Sequence, residues 1–172
     1  GDWTGTLASA LAARGAEVAL PAGIDLEAPY PLGGFDLIVV TGLLDAVNDL
    51  PGALIHLRNA LAPGGLVIAH FIGGQSLPAL RAAMLAAEPD RPAARIHPLV
   101  DPRAAPGLLQ RAGFALPVAD SFTKTVLYRD ALHLMRDLRA MGEGNALAAR
   151  LRRPTARRVL ARAAALYAEN YS

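Results

Sequence analysis

Two short runs constrain this chain most: FDLIVV, from Phe35 to Val40, and GLVIAHFIG, from Gly65 to Gly73. Both are almost continuously apolar and rich in β-branched residues, without polar positions in alternation. That pattern is expected of a strand covered on both faces, as in a parallel sheet. Between them lies LPGALIHLRNAL, where Leu50, Leu54, Leu57 and Leu61 recur at helical spacing; Asp49 precedes it as a candidate N-cap and APGG ends it. A strand, a helix and a strand in this order fold most simply as a parallel pair joined by a right-handed crossover.

The flanking segments extend the alternation. TGTLASALAARG, Thr4 to Gly15, reads as a helix stopped by a glycine, and AEVALP as a short strand. AGIDLEAPYPLGG has turn formers and no helical period, so it is a connection. SLPALRAAMLAAE reads as a helix with Ser76 as N-cap and Pro78 in its first turn. Residues 89–107 form a loop-like insertion leading into the short helix APGLLQRAGF, closed by Gly113. LPVAD and TKTVLYR then read as two strands turning near Ser121, an antiparallel edge to an otherwise parallel sheet. RDALHLMRDLRAMGEG and TARRVLARAAALYAEN are helices that fill residues 130–172. The fold class is thus α/β, and a chain of 172 residues suffices for one domain spanning residues 1–172.

The chain has no cysteine, which excludes disulfides, thiolate nucleophiles and Cys-ligated zinc and permits a reducing compartment such as the cytoplasm. No membrane span and no signal peptide are read from it. Because it does not begin with Met, it is read as part of a longer polypeptide. Six arginines, Arg150, Arg152, Arg153, Arg157, Arg158 and Arg162, crowd one segment of a chain whose net charge is only +2. They form a basic face, either simply solvated or docking an anionic partner; no nucleic-acid fold signature accompanies them.

FDLIVV, DLPGALIHLRNALAPGG and LVIAHF together resemble the second half of class I S-adenosylmethionine-dependent methyltransferases. VNDLPGAL, FIGGQSLPALRAAM, RIHPLVD, LLQRAGF and LMRDLRAMGEGNAL look more narrowly like the complex I assembly methyltransferase-like family and the malonyl-carrier-protein methyltransferases of biotin synthesis. These stretches run from Phe35 to Leu147 in the order that the families share. The resemblance implies a Rossmann-like sheet ordered 3-2-1-4-5-7-6. It also implies S-adenosylmethionine at the carboxyl ends of the first strands, and an acceptor that is a small molecule, carrier-linked or a protein.

By the same resemblance, GDWTG matches the family's glycine loop, with Gly1, Asp2 and Gly5 on the cofactor side and Trp3 where a glycine is usual. The AEVALP segment ends in Leu20 and Pro21 where the family carries a ribose-binding acid. Asp25 is either a displaced ribose ligand or the match to the acidic position near adenine, and Thr41, also on the cofactor side, opens the loop TGLLDAVND that faces the acceptor. Asp45, read as an exposed loop acid, and His70, read as a core histidine or a base, are the candidates for catalysis. Arg81, Arg95, His97 and Tyr128 fall on substrate-side positions, where arginine suits a carboxylate or phosphate. The connection before FDLIVV is too short for the family's third strand and its helix, and no metal-ligand spacing occurs. The reading therefore leans to a methyltransferase-like enzyme, with a degenerate fold that binds a partner as the alternative.

Overall fold

The computed structural model describes residues 5–20, 23–90 and 95–171. It resolves into two compact units, one of Gly1–Phe71 with Gly107–Pro117 and one of Ile72–Pro106 with Val118–Ser172.

The first unit is built on the crossover that the sequence announces. β1 (Phe35–Thr41) and β2 (Leu61–His70) pair in parallel, from Leu37 opposite Leu66 to Thr41 opposite His70. α2 (Leu50–Ala60) joins them. Asp49 does cap it, its side chain accepting the Gly52 N–H at 2.9 Å. Ala53, Leu54, Leu57 and Ala60 make up the buried stripe of α2, and the first three join Leu26, Val40, Leu44 and Ala112 in one core. α4 (Ala105–Arg111) adds Leu108 and Leu109 to that core. Ahead of these elements, α1 (Thr6–Ala12) starts at Gly5 in a left-handed conformation and buries no residue.

Several expectations are corrected here. The helix ends ahead of APGG as expected, but Leu61 is not part of it: β2 begins there rather than at Gly65 and takes APGG in, with a register irregularity where Gly65 meets Phe35. Residues 16–20 of AEVALP carry no regular structure, and Leu20 is 68% exposed. LPVAD and TKTVLYR form no strands either; from Leu116 to Leu127 the chain is irregular and its apolar side chains lie open, so no antiparallel edge is present among the described residues. A strand is stabilised by its neighbours, and these segments lack a described partner. For the same reason, double-faced burial of the central strands is not met: Leu66 and Ile68 are about half exposed, since two strands have too few neighbours to cover both faces.

In the second unit, α3 (Pro78–Ala87), α5 (Ala131–Ala140) and α6 (Arg157–Tyr171) pack Leu80, Met84, Leu134, Leu138, Val159 and Ala163 together. Ser76 is not the cap of α3; that position is Leu77, held left-handed at φ 57° with Pro78 following. The 89–107 insertion returns to the unit through a parallel bridge between Gly73 and Val100. No described helix is long and apolar enough to cross a membrane.

The start of α5 carries a pH-dependent contact. Asp130 accepts the His133 N–H at 2.8 Å and lies 2.8 Å from the same residue's ring Nδ1. The His133 side chain, with the backbone bond, holds the Asp130 carboxyl down at about 2. A depressed carboxylate contributes stability above its unfolded value near 4 and loses it as pH falls toward 2. Between pH about 4 and about 2, thermal unfolding of the unmodified protein is therefore expected to shift down more than that of Asp130→Asn, which keeps the cap but not the charge. Equal slopes in the two proteins would show that the contact does not stabilise the fold.

Candidate functional site

Open α/β sheets bind ligands outside the carboxyl ends of their strands. At that end of β1 the chain leaves Thr41 through Gly42, whose N–H donates to the His70 carbonyl at 2.9 Å, and enters a tight helical turn at Leu44–Ala46. Leu43, Ala46 and Val47 from this loop face Ile24, Asp25, Leu26 and Glu27 across an open cleft of about 190 Å³. The walls are mostly apolar, with two carboxylates along one side. That volume is below the roughly 300 Å³ at which whole small-molecule sites begin, so the cleft suits part of a larger ligand, such as a flat base. A second opening of about 250 Å³ lies between Pro29–Gly33 and His56, Asn59 and Ala60. It adjoins the amino end of β1, where this fold class does not place its ligand.

The cleft is held by hydrogen bonds that the linear pattern does not reveal. Asp25 Oδ1 accepts the Glu27 N–H at 2.9 Å, which sets a turn around Leu26 and sinks that side chain into the core. Glu27 Oε1 in turn accepts the N–H groups of Asn48 and of Asp49, the latter at 2.7 Å. These donors sit at the start of α2, where no intrahelical partner exists for them. Sequence reasoning missed Glu27 altogether, because contacts with Asn48 and Asp49 across 21 and 22 positions leave no local signature.

The structure places the other candidates unevenly. Thr41 ends β1 directly opposite His70, which ends β2 and is exposed rather than a buried core histidine. A strand terminus with few neighbours leaves the imidazole open to water. Asp45 is also corrected: it is 5% exposed, since the Leu44–Ala46 turn rolls it inward beside the core residue Leu44. Asp25 stands exposed at the cleft, and Gly5 opens α1, while Gly1, Asp2, Trp3 and Pro21 lie outside the described residues.

Arg81, Arg95, His97 and Tyr128 belong to the second unit. Arg95 forms a forked ion pair with Glu88, Nη2 to Oε2 at 2.8 Å and Nε to Oε2 at 3.1 Å, which ties the end of α3 to the insertion. Tyr128 packs on the core of this unit. His97 is 8% exposed, and its Nδ1, like Arg81 Nη2, is buried without a hydrogen-bond partner among the described residues.

A parallel crossover with a small open cleft at the carboxyl end of its first strand fits an α/β Rossmann-like fold. A family model described as a methyltransferase domain matches residues 4–117, and the chain belongs to this class I S-adenosylmethionine-dependent methyltransferase superfamily. Among its relatives, "Arginine-hydroxylase NDUFAF5, mitochondrial" of Danio rerio is 36% identical over 149 residues, covering 83% of this chain and 45% of the relative. The Homo sapiens protein of that name is 37% identical over 150 residues, 83% of this chain and 42% of the relative. "Malonyl-[acyl-carrier protein] O-methyltransferase" of Halorhodospira halophila (strain DSM 244 / SL1) is 37% identical over 144 residues, 83% of this chain and 48% of the relative. The chain thus spans less than half the length of each of these three relatives.

Proposed function

We propose that this chain forms part of an S-adenosylmethionine-binding protein that transfers a methyl group to a small, carrier-linked or protein acceptor. The observation that carries the reading is the cleft at the carboxyl end of β1, which falls within the stretch matched by the methyltransferase family. Ile24, Leu26, Leu43 and Val47 offer apolar walls to a flat base, and the exposed Asp25 carboxylate could accept from its exocyclic amine. The cofactor would supply the methyl group, leaving the chain to bind, orient and exclude water. The relatives' names cover both methyl transfer and arginine hydroxylation, so the fold alone does not fix the reaction. A chain without cysteine is compatible with a reducing compartment such as the cytoplasm, the location this reading takes.

The exposed Leu20 favours a second reading, since it stands where the family's ribose-binding acid is expected. In that reading the fold has lost its cofactor and binds an anionic partner instead. The six arginines support it: all are exposed, and no Asp or Glu occurs from Gly144 to Ala168. Calorimetric titration of the intact protein with S-adenosylmethionine and S-adenosylhomocysteine, beside Trp3→Gly, separates the two. Micromolar binding by the unmodified protein is the expected result. Binding that appears only in Trp3→Gly would mark a retired cofactor site and leave the partner-binding reading standing.

A further inference from the structure

We infer that Glu27 is a positioning residue that fixes the shape of the cofactor cleft, an inference that rests on the proposed cofactor reading. One side of the cleft, Ile24–Glu27, has no helix or strand of its own, and Leu26 is its buried anchor. The facing side, Leu43, Ala46 and Val47, runs directly into Asn48 and the start of α2. A single carboxylate oxygen of Glu27 joins the two sides by accepting the N–H groups of Asn48 and Asp49. Its own N–H meanwhile holds Asp25 Oδ1 at 2.9 Å, so the clip and the carboxylate at the cleft edge are oriented by the same residue.

The division of labour at the helix start supports this. Asp49 already satisfies the Gly52 N–H from the cap of α2, whereas Glu27 reaches the Asn48 and Asp49 N–H groups from another part of the chain. An oxygen bearing charge makes the stronger kind of hydrogen bond, and fixing a loop in its bound shape lowers the ordering cost of binding. Glu27 thus needs no contact with the cofactor to affect its affinity.

The test compares Glu27→Ala, Glu27→Gln and Asp36→Asn in the intact protein, titrated with S-adenosylhomocysteine well below each protein's unfolding transition. Asp36 is an exposed acid on β1, so its variant controls for loss of one negative charge. Glu27→Ala is expected to bind about tenfold more weakly, because both N–H groups lose their acceptor. Glu27→Gln, which keeps an oxygen there, should fall between, and Asp36→Asn should match the unmodified protein. Hydrogen exchange at the Asn48 and Asp49 amides should quicken in Glu27→Ala, less in Glu27→Gln and not in Asp36→Asn. A Glu27→Ala protein that is merely less heat-stable but binds with unchanged affinity would overturn the inference, as would unchanged exchange at both amides. Absence of binding by the unmodified protein would instead overturn the cofactor reading and with it the clip's role in binding; the exchange arm would still report whether the clip exists.

Discussion

Leu57→Ala is expected to destabilise the first unit by about 3 to 5 kcal/mol, the upper part of the range for truncating a buried leucine. Leu57 is 1% exposed and sits on the stripe by which α2 joins the core. Removing its branched end loses the transfer free energy of the missing carbons and leaves a cavity bounded by backbone-fixed neighbours. Ile55 on the same helix is 42% exposed, so Ile55→Ala should cost far less. Urea unfolding of the two variants checks this. A similar midpoint for both would mean that α2 does not bury the face described.

Gly65→Ala is expected to disturb the sheet itself. A methyl group there would lie 2.7 Å from the Phe35 carbonyl oxygen and 3.0 Å from that of Ala62, and both are backbone atoms that cannot turn away. The strands would have to part where β1 begins, and overpacking of this kind costs about 1 to 3 kcal/mol or more. Gly64 offers the contrast: its φ is 80° but it has open space around it, so Gly64→Ala carries only the left-handed penalty of about 1 to 2 kcal/mol. Amide exchange should quicken selectively at Phe35 and its neighbours on β1 in Gly65→Ala, whereas Gly64→Ala should raise it evenly across the unit by no more than its loss of stability. If the two variants behaved alike, the close approach of Gly65 to Phe35 would be refuted.

The central crossover was legible in the sequence because its signals are local: continuous apolar runs for β1 and β2, helical spacing and an acidic cap for α2. Residues 16–20 and the stretch from Leu116 to Leu127 misled for the converse reason. Their composition suits strands, but β structure exists only through pairing, which a segment's own residues do not encode. Asp45 defeated the reading because a single residue in a three-residue helical turn has no period from which burial could be judged. Glu27 was hidden by distance along the chain. The resemblance gave the superfamily correctly, while the hydrogen bonds that Glu27 accepts from the start of α2 are visible only in the fold.

The most direct test of the account is a map of backbone amide resonances in the intact protein during titration with S-adenosylhomocysteine. The cleft reading predicts that the largest shifts fall on Asp25, Leu26 and Glu27 and on Leu43, Ala46 and Val47, with Tyr30, Leu32, Gly33 and His56 at the other opening unmoved. Binding that shifts the second set and spares the first, or no binding at all, would contradict it.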